Sequence, residues 1–150
     1  MQQKILSSLR FFTIIALFGV FMFGYAMLPE DVLVFINKDG NPGIYITKPQ
    51  FFYYGLAIMV FANGFILYSI SNIKANYNAA EKLLSWYNVL GILMNLFFAI
   101  SITFIGILNS RENYDYNNLG NLLYLSIGLL LMWCVWLIVL LIKTKNSPIK

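Results

Sequence analysis

Four long stretches without a charged residue constrain this chain more than any other feature of its sequence. An α-helix needs about 20 mainly apolar residues to cross the hydrocarbon core of a bilayer. With 60% hydrophobic and only 11% charged residues in 150 positions, the chain has more apolar side chains than a water-soluble domain of this size can bury. The uncharged stretches are residues 11–29, 49–73, 83–110 and 116–142. The sequence therefore predicts an all-α membrane protein, a single four-helix transmembrane domain over residues 1–150 with helices at about 10–28, 51–73, 84–108 and 121–142.

The first predicted helix shares features with a secretory signal peptide. Basic residues precede an apolar run that ends in small residues at Gly24 and Ala26. The apolar run is longer than the roughly 7–15 residues of a signal-peptide core. We therefore expect an uncleaved membrane anchor.

The basic residues are distributed unequally between the two sides of the predicted bundle. If the N-terminus, the 74–82 loop and the C-terminal tail share one side, that side holds seven of the ten basic residues, namely Lys4, Arg10, Lys74, Lys82, Lys143, Lys145 and Lys150. The other side holds Lys38, Lys48 and Arg111 together with five of the six acidic residues, Glu30, Asp31, Asp39, Glu112 and Asp115. Because Lys and Arg in short loops favour the cytoplasm, we predict a multi-pass protein of the bacterial inner (cytoplasmic) membrane with both termini cytoplasmic. Lys4 and Arg10 are then expected to contact anionic lipid at the inner surface.

The segment between the first two helices, LPEDVLVFINKDGNPGIYITK (residues 28–48), differs from the rest of the chain. β-Branched and aromatic residues flank a turn-forming NKDGNPG sequence. This pattern predicts a short β-hairpin on the external ends of the helices. The alternative is an ordinary loop whose apolar residues enter the lipid headgroups.

The same segment resembles a small bacterial membrane family of unknown function, also found as the N-terminal domain of SdpI-type immunity and signalling proteins. The resemblance lies in the order Leu28-Pro29, Val32-x-Val34, Asn37-x-x-Gly40-x-Pro42, Tyr45 and Lys48. It implies a four-helix inner-membrane protein that senses or resists an extracytoplasmic agent, and it does not imply an enzyme. Phe35 stands where that family has histidine, Leu33 where it often has proline and Gly43 where it often has aspartate, so no role of the histidine can be transferred. The candidate interaction loop comprises Val34, Phe35, Asn37, Asp39, Gly40, Pro42, Tyr45 and Lys48.

The residues of the predicted spans argue against catalysis. The chain has no histidine and a single cysteine, Cys134, so it lacks the usual ligands for zinc or haem and the pair needed for a disulfide. The uncharged stretches contain no carboxylate of the kind that a small proton-coupled exporter would use. We therefore predict a protein that is not an enzyme, has no cofactor or metal and binds no nucleic acid.

Asparagines supply the predicted polar groups inside the bundle. Asn88 and Asn95 are seven residues apart on one face of the third helix, and Asn63 lies near the middle of the second. One interpretation is a packing interface in which Asn63 pairs with Asn95; the other is a polar pocket for a lipid headgroup or a small ligand.

Three functions remain open from the sequence. The first is a partner-interaction or signal/immunity protein that uses its external loops to bind another membrane or envelope protein, or a second copy of itself. The second is a small-solute carrier or channel subunit that uses Asn63, Asn88 and Asn95. The third is an accessory subunit that binds a larger complex through Trp133 and Trp136. Separately, Trp86 is expected in the belt of aromatic residues at the inner membrane surface.

Overall fold

A computed structural model of the chain describes residues 2–36, 42–76, 81–110 and 116–145. It contains four long helices and one two-stranded antiparallel hairpin. Each helix includes a segment long and apolar enough to cross a membrane. This confirms the predicted fold class. The elements are α1 (Gln2–Met27), β1 (Asp31–Ile36), β2 (Pro42–Thr47), α2 (Lys48–Asn76), α3 (Glu81–Leu108) and α4 (Tyr116–Lys145).

The helices are longer than the predicted spans. A stretch without charged residues indicates only the part of a helix that lies in the hydrocarbon core, and each helix continues beyond that part. The start of α2 shows this most clearly. Thr47 and Gln50 form a reciprocal cap, in which the Gln50 amide donates to Thr47 Oγ1 (3.4 Å) and the Thr47 amide donates to Gln50 Oε1 (3.0 Å). Pro49, which the sequence placed outside the span, lies in the first turn, where its missing N–H breaks no helical bond.

Helix α3 is central and packs against the other three helices. Gln3 at the start of α1 donates to the backbone oxygen of Glu81 at the start of α3, so these two helices run in the same direction. Helices α2 and α4 run the opposite way, since Ile70 late in α2 and Leu137 late in α4 pack in one cluster with Trp86 near the start of α3. Both ends of the described chain therefore lie at one end of the bundle, here called the termini end. The opposite end is the hairpin end.

Two apolar clusters hold the bundle together. The cluster near the hairpin end is built around Leu17, Phe21, Phe51, Met59 and Ile102, and the cluster near the termini end around Ile66, Ile70, Trp86 and Leu90. Gly55 lets the Phe21 ring approach α2, because a Cβ at this position would lie 2.6 Å from Phe21 Cε2. The outward helix faces also carry large apolar side chains, as expected where the solvent is lipid.

Candidate functional site

The hairpin is fixed to the bundle by strand β1, here called the inner strand. Val32 is fully buried in the apolar cluster near the hairpin end, and Leu33 is buried beside it. The side chain of Asn109, just after α3, clamps the backbone of Leu33 on both sides. Leu33 N–H donates to Asn109 Oδ1 (2.8 Å), and Asn109 Nδ2 donates to the Leu33 carbonyl oxygen (2.9 Å). The predicted hairpin therefore rests on the helix ends through specific contacts.

Lys48 closes the base of the hairpin. Its Nζ donates to the carbonyl oxygen of Leu28 (2.7 Å) and more weakly to that of Ala26 (3.5 Å). The ammonium group also lies 5.1 Å from the centre of the Tyr25 ring. A cation at the C-terminal end of a helix is favourable because it meets the unpaired carbonyl groups there. Lys48 thus joins the end of α1 to the start of α2.

Most of strand β2 and Phe35 of β1 remain exposed. The strands pair antiparallel with Leu33 opposite Tyr45 and Phe35 opposite Ile44, and the register shifts around Val34. Tyr45 is 54% exposed, and Phe35 and Ile44 are exposed to a similar extent. Of the remaining loop candidates, Pro42 is exposed and Val34 is half-buried against the core, whereas Asn37, Asp39 and Gly40 lie outside the described residues.

A chain of hydrogen bonds links three helices midway along the bundle. Asn63 Nδ2 on α2 donates to Asn95 Oδ1 on α3 (3.0 Å), and Asn95 Nδ2 donates to Thr13 Oγ1 on α1 (3.0 Å). Thr13 Oγ1 in turn donates to the backbone oxygen of Arg10 (2.7 Å). Asn95 is only 1% exposed. The contact between Asn63 and Asn95 is the one that the packing interpretation predicts.

Asn88 does not join this chain of bonds. Its Nδ2 donates to the carbonyl oxygen of Leu84 one turn earlier (2.9 Å). Its Oδ1 is buried and has no hydrogen-bond partner within the described part of the chain. Asn88 and Asn95 share a helix face, but two helical turns separate them and only Asn95 meets Asn63.

Arg10 corrects one expectation from the sequence. It stands at the start of the predicted first span and within the candidate span Gln3–Met27, but it is only 8% exposed rather than spread on the lipid surface. Its side chain packs against Gly91 of α3. The sequence contained a signal for this inward position. Arg10, Thr13 and Leu17 are three and four residues apart and share one face of α1, and Thr13 and Leu17 face the bundle.

The tryptophans also differ from expectation. Trp86 is buried between α3 and α4 and does not stand in an interfacial belt. Trp86 Nε1 donates to the backbone oxygen of Trp133 (3.0 Å), and Trp133 Nε1 donates to that of Trp86 (3.2 Å). Trp133 therefore faces α3, whereas Trp136 is exposed. The two residues do not form one outward surface.

Because the comparisons with known proteins found no match, the geometry described above is the basis for inferring a function. Among the residues that the structure describes, no group of three or more Cys, Asp or Glu side chains could hold a metal ion. No protein-family model matches the sequence, and neither the curated proteins nor the solved structures yield a significant match.

Proposed function

We propose that this chain is a non-enzymatic protein of the bacterial inner membrane that presents its hairpin to another membrane or envelope protein in signalling or immunity. Four helices able to span a bilayer support the membrane location. The excess of basic residues at the termini end supports cytoplasmic termini and an external hairpin. The sequence resemblance of residues 28–48 to the SdpI-type family supports the biological role.

The fixed backbone of the hairpin is the observation that carries this proposal. Asn109 and the buried Val32 hold the inner strand β1, while Phe35 of that strand and Ile44 and Tyr45 of β2 remain exposed. Binding by a segment that is already ordered loses less conformational entropy than binding by a mobile loop. A surface of aromatic and aliphatic side chains on a fixed backbone is typical of protein-binding sites.

The charges near this surface favour a protein over the bilayer interior as its neighbour. Glu30 and Asp31 are exposed at the base of the hairpin. Carboxylates are expensive to bury in hydrocarbon, so they hold the hairpin at the level of the headgroups or above. There, an apolar patch with an acidic border suits a partner with an apolar patch and basic residues around it.

Site-specific photo-crosslinking in cells tests the proposal. A photoreactive phenylalanine replaces Tyr45 on the hairpin or, as a matched control, Tyr68, a 71% exposed tyrosine on the outer face of α2. We expect a discrete protein adduct from position 45 and lipid adducts from position 68. Asn109→Ala removes both bonds to Leu33 and should weaken the adduct at position 45 at unchanged protein level. Lipid adducts alone at both positions, or an adduct that persists in the Asn109 variant and in Ile44→Asp, would contradict the proposal.

A carrier or channel subunit is the alternative that the polar residues raise. It would need Asn63 and Asn95 to meet a solute, whereas their amide groups are bonded to each other and to Thr13. Flux into vesicles that contain the purified chain separates the two functions. Transport that Asn95→Leu abolishes would favour the carrier, and absence of transport in the wild-type chain would favour the binding protein.

A further inference from the structure

A cavity of about 260 Å³ lies at the termini end, between α1, α2 and α3. Two of its residues, Arg10 and Lys74, are cationic, and none of the described residues that line it is acidic. Its other polar residues carry hydroxyl or amide groups that can hydrogen-bond a ligand. They are Gln3, Ser7, Ser71 and Asn88.

Arg10 brings an unpaired charge to this cavity. Its guanidinium atoms Nε and Nη1 are buried and have no hydrogen-bond partner among the described residues. Burial of a charged group without a partner is strongly unfavourable, so such groups persist where an anion or bound water meets them. The Arg10 side chain is 8% exposed and lies within a candidate span, so bulk water reaches little of it.

The surrounding helices make space for Arg10 and hold its backbone. A Cβ at position 91 would lie 2.9 Å from Arg10 Cδ and 3.3 Å from Cγ, so Gly91 admits the aliphatic part of the side chain. Thr13 bonds the Arg10 carbonyl oxygen and is itself bonded by Asn95. The guanidinium is therefore part of a packed arrangement and not a surface cation that happens to fold inward.

The cavity gives an anion a route to the Arg10 guanidinium from the termini end. Arg10 lies eight residues after the start of α1, or about 12 Å along the helix axis. A helix of 26 residues is about 39 Å long and exceeds the roughly 30 Å hydrocarbon core by several ångströms at each end. Side chains in a helix point towards its N-terminus, which directs the arginine towards the termini end. Gln3 and Ser7, earlier on the same helix, line the cavity on that side.

We propose that this cavity binds a phosphate group, carried either by a lipid headgroup or by a soluble phosphate. Arg10 Nε and Nη1 supply two charge-assisted donors, and Lys74 adds a second positive charge at the opening. Asn88 Oδ1 is an acceptor, so it meets a hydroxyl of the ligand or a water molecule that accompanies the phosphate. This site lies at the opposite end of the bundle from the hairpin and does not depend on the function proposed for it.

Thermal unfolding of the purified full-length chain in a non-ionic detergent tests this site. The probes are dioctanoyl phosphatidic acid, inorganic phosphate and, as the control without phosphate, dioctanoylglycerol. A ligand that binds only the folded state raises the unfolding midpoint by an amount that grows with the ratio of its free concentration to its dissociation constant. We expect a concentration-dependent rise with phosphatidic acid, and none with dioctanoylglycerol. An equal rise with inorganic phosphate identifies a soluble ligand as sufficient, whereas its absence identifies a lipid headgroup.

Substitutions assign the effect to the cavity. Arg10→Gln should raise the dissociation constant about tenfold or more, because it removes a charged donor. Lys74→Gln should raise it about threefold and, as a change at an exposed position, should leave folding intact. Lys82→Gln, a matched change at an exposed lysine that does not line the cavity, should have no effect.

Three results would overturn the proposal. The first is an unfolding midpoint that neither phosphate probe raises. The second is an equal rise with dioctanoylglycerol, which would show that acyl chains alone account for binding. The third is an unchanged affinity in Arg10→Gln or, if that variant does not fold, in Lys74→Gln.

Discussion

Replacement of Asn95 by leucine removes the two hydrogen bonds that join α3 to α2 and α1 while nearly conserving side-chain volume. The lost bonds are the one from Asn63 Nδ2 and the one to Thr13 Oγ1, each 3.0 Å long. Hydrogen bonds between transmembrane helices contribute about 0.6 kcal/mol each on average and at most about 1.7 kcal/mol. Two such bonds correspond to about 1.2 kcal/mol.

Hydrogen bonds that remain in the variant keep the expected loss of unfolding free energy near the average value for two interhelical bonds. Asn63 Nδ2 still donates to the Met59 carbonyl oxygen (3.0 Å), and Thr13 Oγ1 still donates to that of Arg10. The Thr13 hydroxyl therefore keeps its acceptor, whereas one of the two N–H groups of the Asn63 amide loses its acceptor. Because Asn63 is only half-buried, the further penalty for this N–H is small. We expect Asn95→Leu to lower the free energy of unfolding by about 1 kcal/mol.

Reversible unfolding in mixed micelles of detergent and dodecyl sulfate, followed by circular dichroism, measures this loss. Thr103→Val is the control, because the Thr103 Oγ1 bond seen in the described residues goes to the Ala99 carbonyl oxygen of its own helix (2.9 Å). A double-mutant cycle of Asn95→Leu with Asn63→Leu should give a coupling energy of about 0.6 kcal/mol. No loss of stability in Asn95→Leu, or a coupling energy near zero, would refute the assignment of Asn95 to packing.

The same unfolding assay tests two further contacts. Trp133→Phe should lower the free energy of unfolding by about 1 kcal/mol, because it removes the indole donor to the Trp86 carbonyl oxygen, whereas Trp136→Phe on the lipid-facing side should change it by less than about 0.5 kcal/mol. Equal effects of the two changes would exclude a role for the indole bond. Gly91→Ala should lower the free energy of unfolding by about 1–3 kcal/mol because its Cβ meets the buried arginine, whereas Gly64→Ala, with no atom within 4 Å of the new Cβ, should be neutral or stabilising. A stabilising Gly91→Ala would contradict the close packing of that arginine.

The hairpin shows which features a local sequence pattern can predict and which it cannot. β-Branched residues on both sides of a turn sequence predicted two paired strands between the first two helices, and the structure contains them. The pattern did not show that Asn109, some 76 residues further along, clamps the inner strand. That contact requires the end of α3 to lie beside β1, which depends on the packing of α1 against α3.

For the polar residues of the bundle, too, the sequence predicts some contacts and not others. The seven-residue spacing of Asn88 and Asn95 predicted a shared helix face, and the pairing of Asn95 with Asn63 followed from their similar depth. Arg10 was assigned to the lipid surface because it stands at the edge of a charge-free stretch. Its position between helices depends on a glycine at position 91 of another helix, and a linear pattern does not show which helix faces meet.

The sequence by itself determined the number of spans, the helix and hairpin types and the absence of histidine, because a bilayer imposes length and hydrophobicity on each segment separately. Only the tertiary structure decided which polar groups are bonded and which are not. Asn95 and Asn63 lie at the same depth on facing helices and pair. Arg10 and Asn88 lie nearer the termini end and retain polar atoms that have no partner among the described residues. The physical reason is that hydrogen bonding between helices depends on their relative rotation and depth, which side-chain packing across the whole bundle sets.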